Sequence, residues 1–154
     1  MNRKLFLIIG ALLVVAGLFV ALLMFGGSPK HTTFTYPGGD LDVLVADNAV
    51  EQTKGLSGTT LDTLGADGML FVFNDYAERT FWMKGMNYDL DVVWIRDGKV
   101  MKVDQNIAAP KAGEEPETMS SAPFKVNMVL ELPAGATARY NIVPGHQVSA
   151  KGFE

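Results

Sequence analysis

The sequence predicts a mainly β fold, a compact barrel or sandwich of short strands with one or two short helices, preceded by a single N-terminal transmembrane helix. Three observations carry that expectation. An uncharged apolar run, LFLIIGALLVVAGLFVALLMFGG, fills residues 5–27. Beyond it, apolar or alternating runs are short and are broken by Gly and Pro, the punctuation of a strand-rich domain. Helix start signals are scarce, and the clearest lies at Asn48.

At about 1.5 Å per helical residue the first run can cross a bilayer core of about 30 Å. The alternative, a cleaved signal segment, usually has a shorter apolar region of roughly 7–15 residues, and FGGSPK offers no clear small-x-small site. Arg3 and Lys4 precede the run, so the positive-inside rule puts the N-terminus in the cytoplasm and the rest outside. The expected protein is thus single-pass in the cell membrane with an extracytoplasmic C-terminal domain. Residues 1–27 form the anchor or signal segment, residues 28–33 a tether, and residues 34–154 the β domain.

All 17 acids and 11 of the 13 bases follow Gly27, which leaves that part with a formal excess of six acids. Binding of nucleic acid is disfavoured, because phosphate recognition needs a basic face. With no cysteine, disulfides, thiolate metal sites and a cysteine nucleophile are excluded, and the domain must be stable by packing.

Within the domain, TTFTY and LDVLVAD read as strands around the PGGD turn. Asn48 with Glu51 resembles a capping box and predicts a helix over residues 49–54 that stops at Gly55. GLSGTTLDTLGADG then reads as irregular. GMLFVF is a nearly continuous apolar run and predicts a strand buried on both faces. DLDVVWIRDGKVMKV reads as a hairpin, with Asp97-Gly98 suited to a type I′ turn. AAPKAGEEPETMSSAP is acidic and aperiodic, the signature of an exposed loop. VNMVLELPAG is another strand, and ARYNIVPGHQVSA reads as two short strands around Pro144-Gly145.

GMLFVF, FWMK, LDVVWI, the AAP after the hairpin, VLELPAG and NIVPGHQV, in this order over residues 47–148, resemble the DUF192 family of small, often exported prokaryotic domains. The resemblance implies one β-rich domain with a signal or anchor before it, and supplies no settled activity. Lys84, Asp91 and Glu131 match the family pattern. Thr59 or Thr60, Gly85-Met86, Asp89 and His146 stand where it commonly has Arg, Asn-Thr, Pro and Asp.

The chemistry points to binding more than to catalysis. His31 lies in the tether and His146 in a turn, and Ser57, Ser120 and Ser121 lack the strand-to-helix elbow of a serine nucleophile. The leading expectation is a module for a small envelope ligand, glycan or protein that uses Trp82, Lys84, Asp91 and Glu131, since aromatic faces with a few placed polar groups are what ligand pockets use. In FWMK, strand alternation sends Phe81 and Met83 to the core and Trp82 and Lys84 outward. One alternative is a hydrolase or transferase that uses Lys84 with Asp91 or Glu131. Another is a soft-metal carrier that holds copper(I) through Met83, Met86 and other thioethers. The acids Glu114, Glu115 and Glu117 lack the D-x-D-x-D-G arrangement of a calcium loop. No resident cofactor is expected.

Overall fold

The computed structural model describes residues 29–153. The predicted membrane segment lies outside the described residues, and among these no helix is long and apolar enough to cross a membrane. The chain forms β1 (His31–Tyr36), β2 (Gly39–Ala46), α1 (Ala49–Lys54), α2 (Leu61–Leu64), β3 (Gly68–Ala77), β4 (Thr80–Trp82), β5 (Leu90–Arg96), β6 (Lys99–Ile107), β7 (Thr118–Ser120), β8 (Val126–Pro133), α3 (Ala136–Arg139) and β9 (Ser149–Ala150).

Seven strands make one curled, half-barrel sheet in the order β6-β5-β8-β3-β2-β1-β9, and β4 pairs with β7 in a separate ribbon. Every pairing in the large sheet is antiparallel except β2 with β3, which run parallel. A parallel pair needs a crossover, and α1 and α2 supply it. The expected barrel or sandwich is thus an open curl, bridged at one end. There residues 145–148 bond β6 and the turn before it, through Val100 N–H to the His146 carbonyl (3.0 Å) and Val148 N–H to the Gly98 carbonyl (2.7 Å), while β9 pairs with β1.

Both faces of the sheet are buried. Phe34, Val43, Leu70, Val93, Leu130, Val100 and Ala150 share one cluster, which joins residues from both edges of the strand order and so fills the inside of the curl. Phe71, Val92, Trp94 and Val129 face the other way and pack with Leu56, Leu64, Met83, Met86 and Met119, contributed by the crossover and the β4–β7 ribbon. The buried double-faced β3 expected from GMLFVF therefore holds: it lies between β2 and β8.

Local chemistry explains several element ends. Asn48 accepts from the N–H groups of Val50 (3.2 Å) and Glu51 (3.1 Å), so α1 starts where the sequence predicts. The Glu51 carboxylate reaches one residue further back than a capping box requires, to Asp47 N–H at 3.2 Å. Asp97 (φ 49°) and Gly98 (φ 68°) both take the left-handed region, as a type I′ hairpin turn demands.

Four expectations are corrected. GLSGTTLDTLGADG contains α2, with the Thr60 and Thr63 side chains in a reciprocal cap. The acidic loop ends in β7, which is only three residues long and finds its partner, β4, far away in sequence. ARYNIVPGHQVSA is not two strands: α3 ends at Arg139, Gln147 makes a single β-bridge to Lys99, and only β9 forms a strand. His31 begins β1, inside the segment expected to be tether, and its Nδ1 lies 3.0 Å from Asp42 Oδ2.

Candidate functional site

β3 runs past Phe71 and Phe73 and stays paired with β8 as far as Ala77, and the chain then turns at Glu78-Arg79 into β4, which pairs with β7 in the separate ribbon. The crossover meets them from the other side: α1 ends at Gly55 (φ 49°), where a Cβ would come within 3.2 Å of the Phe71 ring. Gln52 Nε2 fastens α1 to this edge by donating to the Val72 carbonyl at 2.8 Å. Ser57 Oγ donates to the Lys84 carbonyl (2.7 Å) and Gly58 N–H to the Gly85 carbonyl (2.8 Å), which clamps the crossover loop onto the turn after β4. Gly85 (φ 72°) permits that turn, and its Cβ position lies 3.3 Å from Ser57 Cβ.

Between these walls lies an open cleft of about 440 Å³. Leu56, Phe71, Phe73, Phe81 and Met86 line it, and Trp82 stands at its rim, 54 % exposed. Phe81 is fixed edge-on between Phe71 (4.8 Å, 84°) and Trp94 (5.5 Å, 90°). The cleft lies off the carboxyl ends of the parallel pair β2 and β3, the position at which α/β sheets bind ligands. Its charged lining consists of Lys54, Glu78 and Arg79. Arg79 stacks on Phe73, its guanidinium carbon 3.9 Å from the ring centroid, while Nη2 donates to the Asp75 carboxylate and to the Asp75 carbonyl at 3.1 Å. A larger groove of about 520 Å³ between β6 and β7 carries no aromatic side chain.

The four residues expected to form one site are not together. Trp82 and Lys84 are exposed neighbours, with the ammonium 5.0 Å from the Trp82 ring centroid, and Phe81 and Met83 face the core as alternation predicts. Asp91 is fully buried on the inner face. Its carboxylate accepts from Thr137 N–H (2.9 Å), Thr137 Oγ1 (2.7 Å) and Asn106 N–H (2.9 Å). It does the work of an N-cap for α3, whose own Gly135 has no side chain to offer. Glu131 pairs across from Val92, whereas Asp91 pairs across from Leu132, so the two acids project to opposite faces of the sheet. Burial pushes the Glu131 carboxyl up to about 8. Among the described residues Lys84 forms no ion pair with either acid.

The other candidates serve the fold. Ser121 Oγ accepts from Arg79 N–H (2.8 Å) and donates to the Phe124 carbonyl (2.7 Å). Met83, Met86 and Met119 are buried in the outer cluster with Met69 and Met101 packed against it, whereas Met128 lies in the inner one. Glu114 accepts from Lys111 N–H at 3.0 Å and closes a local turn. Arg79 and Phe73, which shape the cleft, were missed by the sequence reading. Their signal was the second, solvent-bound half of the GMLFVFNDYAER run, where a strand that alternates out of the core still carries an aromatic.

A curled β half-barrel with a βαβ crossover and few short helices places the chain among small, mainly β single-domain proteins. The chain belongs to the DUF192 family, described as an uncharacterized ACR, whose profile matches residues 32–150. No curated protein matches it. Two crystal structures are similar over most of the domain. One, from Sinorhizobium meliloti 1021, is provisionally described as a transcription regulator. It shares 27 % identity, with a TM-score of 0.69 over 82 % of this chain and 98 % of that one. The other, a protein of unknown function from Novosphingobium aromaticivorans DSM 12444, shares 31 % identity, with a TM-score of 0.60 over 79 % of this chain and 84 % of that one.

Proposed function

We propose that this protein is a membrane-anchored, extracytoplasmic binding module that holds a small ligand in the cleft between the crossover and β4. The observation that carries this reading is Trp82, an indole left half in solvent at the rim of a cleft lined by buried Phe71 and half-buried Phe73 and Phe81. A soluble domain gains by covering such a ring, and recognition of small molecules commonly uses one. The reading moves away from Asp91 and Glu131, which are buried on opposite faces of the sheet. The alternative of a hydrolase or transferase gains no support from acids on opposite faces of β5 and β8. The anchor rests on the apolar run of residues 5–27 and the bases before it.

Isothermal titration of the full chain, held in a lipid nanodisc, against envelope glycans and small-molecule extracts tests the cleft. Saturable binding weakened at least tenfold by Trp82→Ala is expected. Binding of the same strength in that variant would reject this cleft as the site.

A further inference from the structure

We propose that the domain rests end-on against the phospholipid bilayer that anchors it, through the end formed by the start of β1, the carboxyl ends of β2 and β3 and helix α1, with Val50 and Trp82 in the headgroup layer; this deepens, and rests on, the membrane-anchored reading above. The length of chain between the apolar run and the fold decides which end faces the bilayer. The run ends at Gly27, and Lys30 is already held by the fold: its carbonyl accepts from Val45 N–H at 2.8 Å, and its ammonium lies 2.6 Å from Asp47 Oδ2, at the junction of β2 with α1. His31 lies across from Leu44, and Ala46 beside Phe71, so β1 begins where β2 and β3 run out toward α1 and β4. Three Cα steps from Gly27 to Lys30 span at most about 11 Å. A domain of this length has a radius of gyration of about 14 Å, so the connection is too short for the opposite end to turn toward the bilayer.

Exposed apolar side chains mark the same end. Val50 is 79 % exposed on the flank of α1 that does not line the cleft, and α1 buries none of its residues. Trp82 stands across the cleft from α1, and Tyr76 lies half exposed where β3 passes out of register with β8. Tryptophan and tyrosine are enriched at membrane–water interfaces, where the ring is dehydrated and its polar atom stays wet. Charge is sorted along the strands in the same sense. Residue 30 and residues 47–57, 75–84, 96–99 and 124–126, at the anchor end, hold seven bases and five acids. Residues 37–40, 61–67, 85–89, 108–117 and 134–139, which join the opposite strand ends, hold two bases and seven acids. An anionic lipid surface therefore attracts the end that the short connection presents and repels the other.

The experiment places the full chain in nanodiscs of phosphatidylcholine, with and without bromine on the headgroup-proximal part of the acyl chains, which quenches an indole that reaches them. Trp94 is fully buried, so a lipid-dependent change in emission reports on Trp82, and Trp82→Phe supplies the background. The expected result is quenching of Trp82 by the brominated lipid, reduced at least about twofold in Val50→Glu, which puts a charge at a solvent-facing helix position. Emission that bromine leaves unchanged, or quenching that Val50→Glu leaves intact, overturns the docked orientation. Ligand titration of the same nanodiscs separates this proposal from the reading beneath it. Trp82-dependent ligand binding without lipid quenching overturns the docking and keeps the cleft as a binding site. Loss of the chain from the nanodiscs overturns the anchor, and the docking with it.

Discussion

Glu131 is 5 % exposed, and no hydrogen bond to its carboxylate occurs among the described residues, so the folded chain keeps it protonated up to about pH 8. In the unfolded chain it ionises near its ordinary value of 4.5. Between those limits the unfolded state has lost a proton that the folded state retains, so stability falls as pH rises, by up to about 1.4 kcal/mol per unit, and levels off above about 8. Urea unfolding should therefore show Glu131→Gln close to the parent at pH 4.5 and more stable than it, by a few kcal/mol, at pH 8. A difference that stays constant across this range would mean that the carboxyl is not held neutral. In the sequence VLELP, alternation reads Glu131 as the solvent side of a strand. It is buried because the crossover and the β4–β7 ribbon cover that face, which no local pattern announces.

α3 is an element held by a residue 46 positions away. A four-residue helix has too few internal bonds to stand alone, and its sequence, ATAR, carries no cap. Asp91 closes that gap, and Gln105 Nε2, donating to Thr137 Oγ1 at 2.8 Å, ties the same hydroxyl to β6. Replacing Asp91 by Asn turns one acceptor oxygen into a donor that faces N–H groups, at a cost on the order of 3 kcal/mol. Hydrogen exchange should show Thr137 and Asn106 losing protection in that variant before the β3–β8 core does; unchanged protection at both would remove Asp91 from this role. The contrast with α1 explains what was legible. Asn48 and Gly55 write both ends of α1 into neighbouring residues, whereas the caps of α3 and the partner of β7 are remote in the chain. The cleft was half legible for the same reason: Trp82 is conspicuous in FWMKGM, but its apolar floor forms only when residues 52–57 cross over to β3.

At the scale of the whole molecule, closure of the curl depends on residues 145–150. They satisfy Val100 and Gly98 on one edge and pair with Phe34 and Thr35 on the other, covering an inner core to which Val148 and Ala150 also contribute. A chain that ends at Gly145 should bind a dye for exposed apolar surface and lose its cooperative thermal transition. A sharp transition with no dye binding would show that the strand pairs β1 through β8 suffice. The mainly β class was readable from short apolar runs and turn residues, but the parallel pairing of β2 with β3 was not, since strand direction leaves no mark in alternation.

The bridge also sets an order of events. β1 is the first described strand and β9 the last, and the bonds between them join residues more than a hundred positions apart. During synthesis, and during passage across a membrane if the apolar segment inserts, the first edge emerges long before its partner. The hairpin β1–β2 can form early, yet the inner face stays uncovered until the closing residues arrive. Completion of the inner core thus waits on residues 145–150, and an escort that shields apolar strands would be needed most during that interval.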